Sequence, residues 1–294
     1  MVRKPFSKRD KPQPHKLTEE ISEIVRLRVF RTLEAQTGGA FRFALPMVGQ
    51  RCETEYGHLQ RSTDYPPGTV EDRVLEHFRV CDSDQALDFL EFLFQSQPFF
   101  GNQQAVDAIN EIFREVGIGY EFTRFAISDT TMPNGGRRVE LLQTPQAIRI
   151  SNTLVHQTTT APALQLLANP LCKRANDEML QAHQLFRDGY FDKAIASAGQ
   201  ALESVLKIIC EQKRWPLRPT QDTLGNLLAT VKDQGLILDF YKDVLSGSGK
   251  VRNNIGAHGT ATTPYLPATE AQAEHMIGMT AAHIVFLARL AALA

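Results

Sequence analysis

Lys250-Val-Arg-Asn-Asn-Ile-Gly-Ala-His-Gly259 is the one place in this 294-residue chain where groups able to handle a phosphodiester sit close together in sequence. It holds a permanent cation in Arg252, two amides in Asn253 and Asn254, and a titratable imidazole in His258. Metal-free cleavage of RNA needs a proton taken from the 2′-hydroxyl, charge neutralised on the phosphate and a proton given to the leaving 5′-oxygen. Histidine suits the proton steps because its ordinary pKa lies near neutrality. Arginine suits the charge step because its planar fork of donors matches phosphate oxygens. An Asn beside it can bond a phosphate oxygen or fix the imidazole.

Spacing limits what this stretch can build alone. At about 100° per residue, the step from Arg252 to His258 turns about 240° around a regular helix, so an unbroken helix puts the two on different faces. Gly256 allows a break between them. Alternatively, a symmetric second copy brings one face from each chain to a common cleft.

Just upstream, Ser246-Gly-Ser-Gly-Lys250 invites a phosphate-loop reading, but Val244 and Val251 stand where that motif needs Gly and Ser or Thr. The segment reads instead as a flexible lead into the motif, with Lys250 an added phosphate contact. Further out, the pattern is helical. Apolar residues recur at three- and four-residue steps over Ala175 to Arg187, Tyr190 to Lys213, Thr223 to Gln234 and Pro267 to Leu293. In the second of these, Ala194, Ala198 and Ala201 permit close approach of a neighbour. Antiparallel packing of such segments gives a helical bundle with the Arg-Asn-His stretch beside its core.

The order Arg, Asn, four residues, His, Gly at 252 to 259 resembles the signature of HEPN domains, helical bundles many of which are metal-independent ribonucleases working as dimers. The likeness is to their abortive-infection C-terminal branch. It implies Arg252 and His258 as catalytic residues, with Asn253 the accompanying polar position that places the phosphate; Asn254, the second amide of the stretch, is read as a supporting residue. It also implies RNA as substrate, 2′,3′-cyclic phosphate and 5′-hydroxyl product ends, no cofactor, no metal and a homodimer through the bundle. HEPN domains often carry an acidic or polar residue near the Arg-His pair, and Glu203 stands at that place. It can orient Arg252 or tune His258, or it forms an ordinary surface pair with Lys207 at i+4.

The N-terminal part reads as a second domain. Residues 1–16 form a basic, proline-broken arm expected to be disordered. Helical patterns follow over about Leu17 to Leu33, behind the cap Thr18, and over Val70 to Val80, Asp84 to Gln95 and Gln103 to Val116. Gly38-Gly39 stops the first, and Phe41, Phe43 and Leu45 alternate briefly before a loop. Tyr120 to Ile127 and Arg137 to Leu142 read as a hairpin around Asn134-Gly-Gly136. The run Ala108-Ile-Asn-Glu-Ile-Phe-Arg-Glu-Val-Gly-Ile-Gly-Tyr-Glu-Phe122 resembles the N-terminal domain of AbiJ-type abortive-infection proteins, which precedes a HEPN domain. That likeness implies a place for a phage trigger or regulatory partner. In Asn110, Glu111 and Tyr120 themselves we read a helix-to-hairpin joint.

The expected fold is mainly α: an α+β N-terminal domain over 17–170 with a small hairpin, then an antiparallel bundle over 171–294. Hydrophobic residues make up 43% and charged residues 22%, enough apolar mass for a core. A net charge of −1, from 32 basic and 33 acidic residues, excludes a globally basic nucleic-acid glove, so RNA must meet a local patch. Cys52, Cys81, Cys172 and Cys210 lie far apart and read as thiols in a reducing compartment. No apolar run suggests a signal peptide or a membrane span, so a cytoplasmic protein without membrane contact is expected. The function expected is a metal-independent endoribonuclease in anti-phage defence. The alternative is a bundle that binds nucleotide, RNA or a partner without cleaving.

Overall fold

Helix starts follow from local chemistry. Asn102 accepts from the Ala105 N–H to open helix α5 (Gln103–Val116), and Thr69 forms a reciprocal cap with Asp72 to open α3 (Val70–Val80). Asp82 caps α4 (Ser83–Gln95) by accepting from the Gln85 N–H. Thr18 is no cap: α1 (Glu23–Thr37) begins after Ser22, and Thr18 instead makes a single β-bridge to Ile118. The computed structural model describes residues 17–60, 68–131, 137–151, 155–217, 223–255 and 267–293. The basic arm, the Asn134-Gly-Gly136 turn and His258 lie outside the described residues.

The chain divides into two compact units, residues 1–125 with 144–151, and residues 126–143 with 152–294. In the first, α1 and α3 to α5 join α2 (Gly39–Tyr56), and β1 (Tyr120–Phe122) pairs antiparallel with β4 (Ala147–Arg149). After Gly38-Gly39 the sequence shows only the brief alternation of Phe41, Phe43 and Leu45. A helix fills 39–56 because Phe41, Ala44, Leu45, Val48 and Cys52 fall on one buried face, while Phe43 and Met47 point outward. The core is aromatic, with Phe41, Phe89, Phe94, Phe99, Phe113 and Phe122 fully enclosed. In α4, Ala86, Leu87, Phe89, Leu90, Leu93 and Phe94 are buried and face that core. Asn110 is the joint from α5 to β1: its amide donates to the Phe122 carbonyl and accepts from the Phe122 N–H, both at 2.8 Å.

Tyr120 to Ile127 is not one strand. The chain leaves β1 after Phe122 and re-enters as β2 (Ala126–Thr131), which pairs with β3 (Arg137–Gln143). That hairpin belongs to the second unit, as does α6 (Ala161–Leu167), although the sequence boundary at 170 assigns both to the first domain.

The second unit is a bundle of α7 (Lys173–Arg187), α8 (Phe191–Lys213), α9 (Leu224–Asp233), α10 (Asp239–Asn254) and α11 (Glu270–Ala291). Helix α8 is its pillar, touching the other four. Its buried small residues Ala194, Ser197, Ala198, Gly199, Ala201 and Ser204 let neighbours approach, and Leu202, Val205, Leu206 and Ile209 supply the apolar mass. The fold is thus mainly α with small antiparallel strand pairs, as the sequence predicts.

Candidate active site

Helix α10 corrects the sequence reading where it matters most. Ser246-Gly-Ser-Gly-Lys250 is no flexible lead and no phosphate loop; it lies inside a helix that runs unbroken to Asn254. Two glycines disfavour helix by about 1 kcal/mol each relative to Ala, so packing must hold this segment. Leu245 and Ser248 are buried, and the Ser248 hydroxyl meets Nδ1 of His283 on α11 at 3.2 Å. Burial holds the His283 imidazole below the usual histidine range.

Arg252 stands on the last turn of α10 and lays its side chain across α8. Its Nη1 reaches Glu203 Oε1 at 2.9 Å, with the two side chains 25% and 16% exposed. The same carboxylate oxygen accepts from the Leu224 N–H at 3.2 Å. Leu224 is the first residue of α9, where the N–H has no partner inside its own helix and the helix dipole favours negative charge. Glu203 therefore ties three helices at one point. The surface pair with Lys207 gives way to Arg252. The path of Arg252 depends on Gly199, one turn before Glu203: a Cβ there would lie 2.8 Å from Arg252 Cδ.

The other expected site residues that the structure describes sit apart from this pair. Asn254 donates back to the Lys250 carbonyl at 2.7 Å, satisfying its own helix end. Lys250 and Asn254 are each about 200° around the helix from Arg252 and exposed, so they face away from the Glu203 contact. Asn253 is exposed about 100° from Arg252. Sequence reasoning missed Gly199 and the Leu224 N–H. The glycine inside an alanine-rich stripe was the available signal for the first; nothing in the sequence marks the second.

Among the described residues, no group of three or more His, Cys, Asp and Glu side chains could hold a metal ion, and no helix is long and apolar enough to cross a membrane. The family model of the HEPN-like domain matches residues 173–291, which takes in α7 to α11 and the Arg252–Glu203 pair. This bundle is a HEPN-like domain of the abortive-infection type. Residues 4–134 match AbiJ N-terminal domain 4, so the chain joins an AbiJ-type N-terminal domain to that bundle. No curated protein and no solved structure matches the chain.

Proposed function

We propose that the chain is a metal-independent endoribonuclease of abortive infection, with Arg252 and His258 as its catalytic residues. The observation that carries this reading is Arg252 held at the end of α10 by Glu203, at 2.9 Å, immediately before the sequence reaches His258. The 2′-oxygen attacks the adjacent phosphorus and the bond to the 5′-oxygen breaks. One proton leaves the 2′-hydroxyl and one reaches the departing 5′-oxygen, so the products are a 2′,3′-cyclic phosphate and a 5′-hydroxyl. His258 serves proton transfer, and Arg252 offsets the charge that builds on the phosphorane oxygens. Glu203 aims the guanidinium, and Asn253 contacts the phosphate.

A homodimer completes the site in this reading. Phe240 and Val244 are 59% and 58% exposed on α10, and with Val251 they form a stripe beside Arg252 at helical spacing. A second copy packed there sets two such helix ends side by side. The N-terminal domain restrains or triggers the nuclease, an assignment resting on analogy with its domain type.

Expression in bacteria tests the reading. The wild-type chain should arrest growth with fragmentation of cellular RNA, and Arg252→Ala and His258→Ala should each relieve both. Equal arrest by all three, or arrest with intact RNA, would favour a bundle that acts by binding.

A further inference from the structure

We propose that Gly199 is a positioning residue for Arg252, an inference that rests on the nuclease reading of that arginine. A Cβ built at position 199 has Arg252 atoms as its three nearest neighbours: Cδ at 2.8 Å, Nη1 at 3.5 Å and Cγ at 3.6 Å. The arginine therefore lies in the gap that a missing side chain leaves on α8. From there it runs one helical turn to Glu203, which sits at i+4 on the same face of α8. Any side chain at 199 must move something, and an arginine stem moves more easily than a helix backbone.

This separates fold from function. Glycine inside a helix is unfavourable relative to alanine, and position 199 is interior to a 23-residue helix. A substitution to alanine improves the helix while pushing Arg252 off its path to Glu203. Selection for fold alone favours alanine here, as at Ala194, Ala198 and Ala201. What the glycine leaves room for at this position is the Arg252 stem, the nearest group to the missing Cβ. A shift of about 1 Å in a catalytic group costs up to about a hundredfold in rate.

The test is a cycle of Gly199→Ala, Arg252→Ala and the double variant in the full chain, with Tm and RNA cleavage both measured. In the Arg252→Ala background, where nothing fills the gap, Gly199→Ala should raise Tm by about 2–4 °C. In the wild-type background the rise should be smaller or absent, and kcat should fall at least about tenfold with KM nearly unchanged. Equal Tm shifts in both backgrounds would overturn the proposal, because Arg252 would not feel the added methyl. Unfolding in both would overturn it too, and so would an unchanged kcat. If the wild type does not cleave RNA, the nuclease reading fails separately, while the Tm cycle still decides whether position 199 sets the arginine.

Discussion

Helices α8 and α10 meet at the Arg252–Glu203 pair, yet they are held in opposite ways. Helix α8 buries twelve residues along 23 and packs on every other helix of its bundle. Helix α10 buries two along 16, carries two glycines, and leaves Phe240 and Val244 outward. The carboxylate thus stands on a rigid pillar and the arginine on a helix that depends on its neighbours. Such a pairing lets the site be precise on one side and adjustable on the other, since marginal elements open locally at low free-energy cost.

The comparison breaks most visibly in the core. Leu202→Ala on α8 should cost about 2–5 kcal/mol of unfolding free energy, whereas Val244→Ala on α10 should stay within about 0.5 kcal/mol. Urea unfolding of both variants, at a concentration where the chain is monomeric, makes the check. Comparable losses would mean that α10 is buried in the isolated chain.

Acid should weaken the pillar's side next. Burial, then the neighbouring His156, pulls the His183 imidazole on α7 from 6.5 down to about 3. The unfolded chain takes up that proton near pH 6.5 and the folded chain does not. Stability is therefore full above about pH 6.5 and falls as pH drops toward 3, by up to about 1.4 kcal/mol per pH unit. His283, lowered for the same reason of burial, acts with the same sign. Urea midpoints at pH 7.5 and 5 should differ, and His183→Leu should shrink the difference.

At the junction itself, Glu203→Gln keeps an acceptor for the Leu224 N–H but removes the charge facing Arg252. We expect a loss of about 1–2 kcal/mol in stability and roughly tenfold in cleavage, read by unfolding and single-turnover assays. The smallest effects should come from the glycines of α10. Gly247 has open space around it, so Gly247→Ala should stabilise by about 0.5–1 kcal/mol. At Gly249 a Cβ would come 3.0 Å from Leu224 Cδ2, so Gly249→Ala should gain less. Thermal scans of the two variants side by side measure the difference.

The legible parts of this fold were those fixed locally. Both ends of α3 and α5 follow from caps and periodicity, and the buried stripe of α8 is written in its spacing. Helices α2 and α10 were hidden because Gly39, Pro46 and the Ser-Gly-Ser-Gly run argue against helix. Their conformation comes from what they pack on, and isolated propensity does not report that. The split of 120–127 into two strands was hidden for a similar reason. Residues 120–122 find their partner at 147–149 and residues 126–131 find theirs at 137–143, a choice made by distant chain. In the candidate site, Arg252 and Glu203 were named from sequence through a family resemblance. Their 2.9 Å contact, the Leu224 N–H and the gap at Gly199 are properties of three helices meeting, and no single stretch carries them.

The most direct measurement is RNA cleavage by purified protein in EDTA, wild type beside Arg252→Ala and His258→Ala, with the product ends identified. The account predicts 2′,3′-cyclic phosphate and 5′-hydroxyl ends from the wild type, and a loss of at least about a hundredfold in each variant. RNA left intact by all three, or cleavage that survives Arg252→Ala, would contradict it.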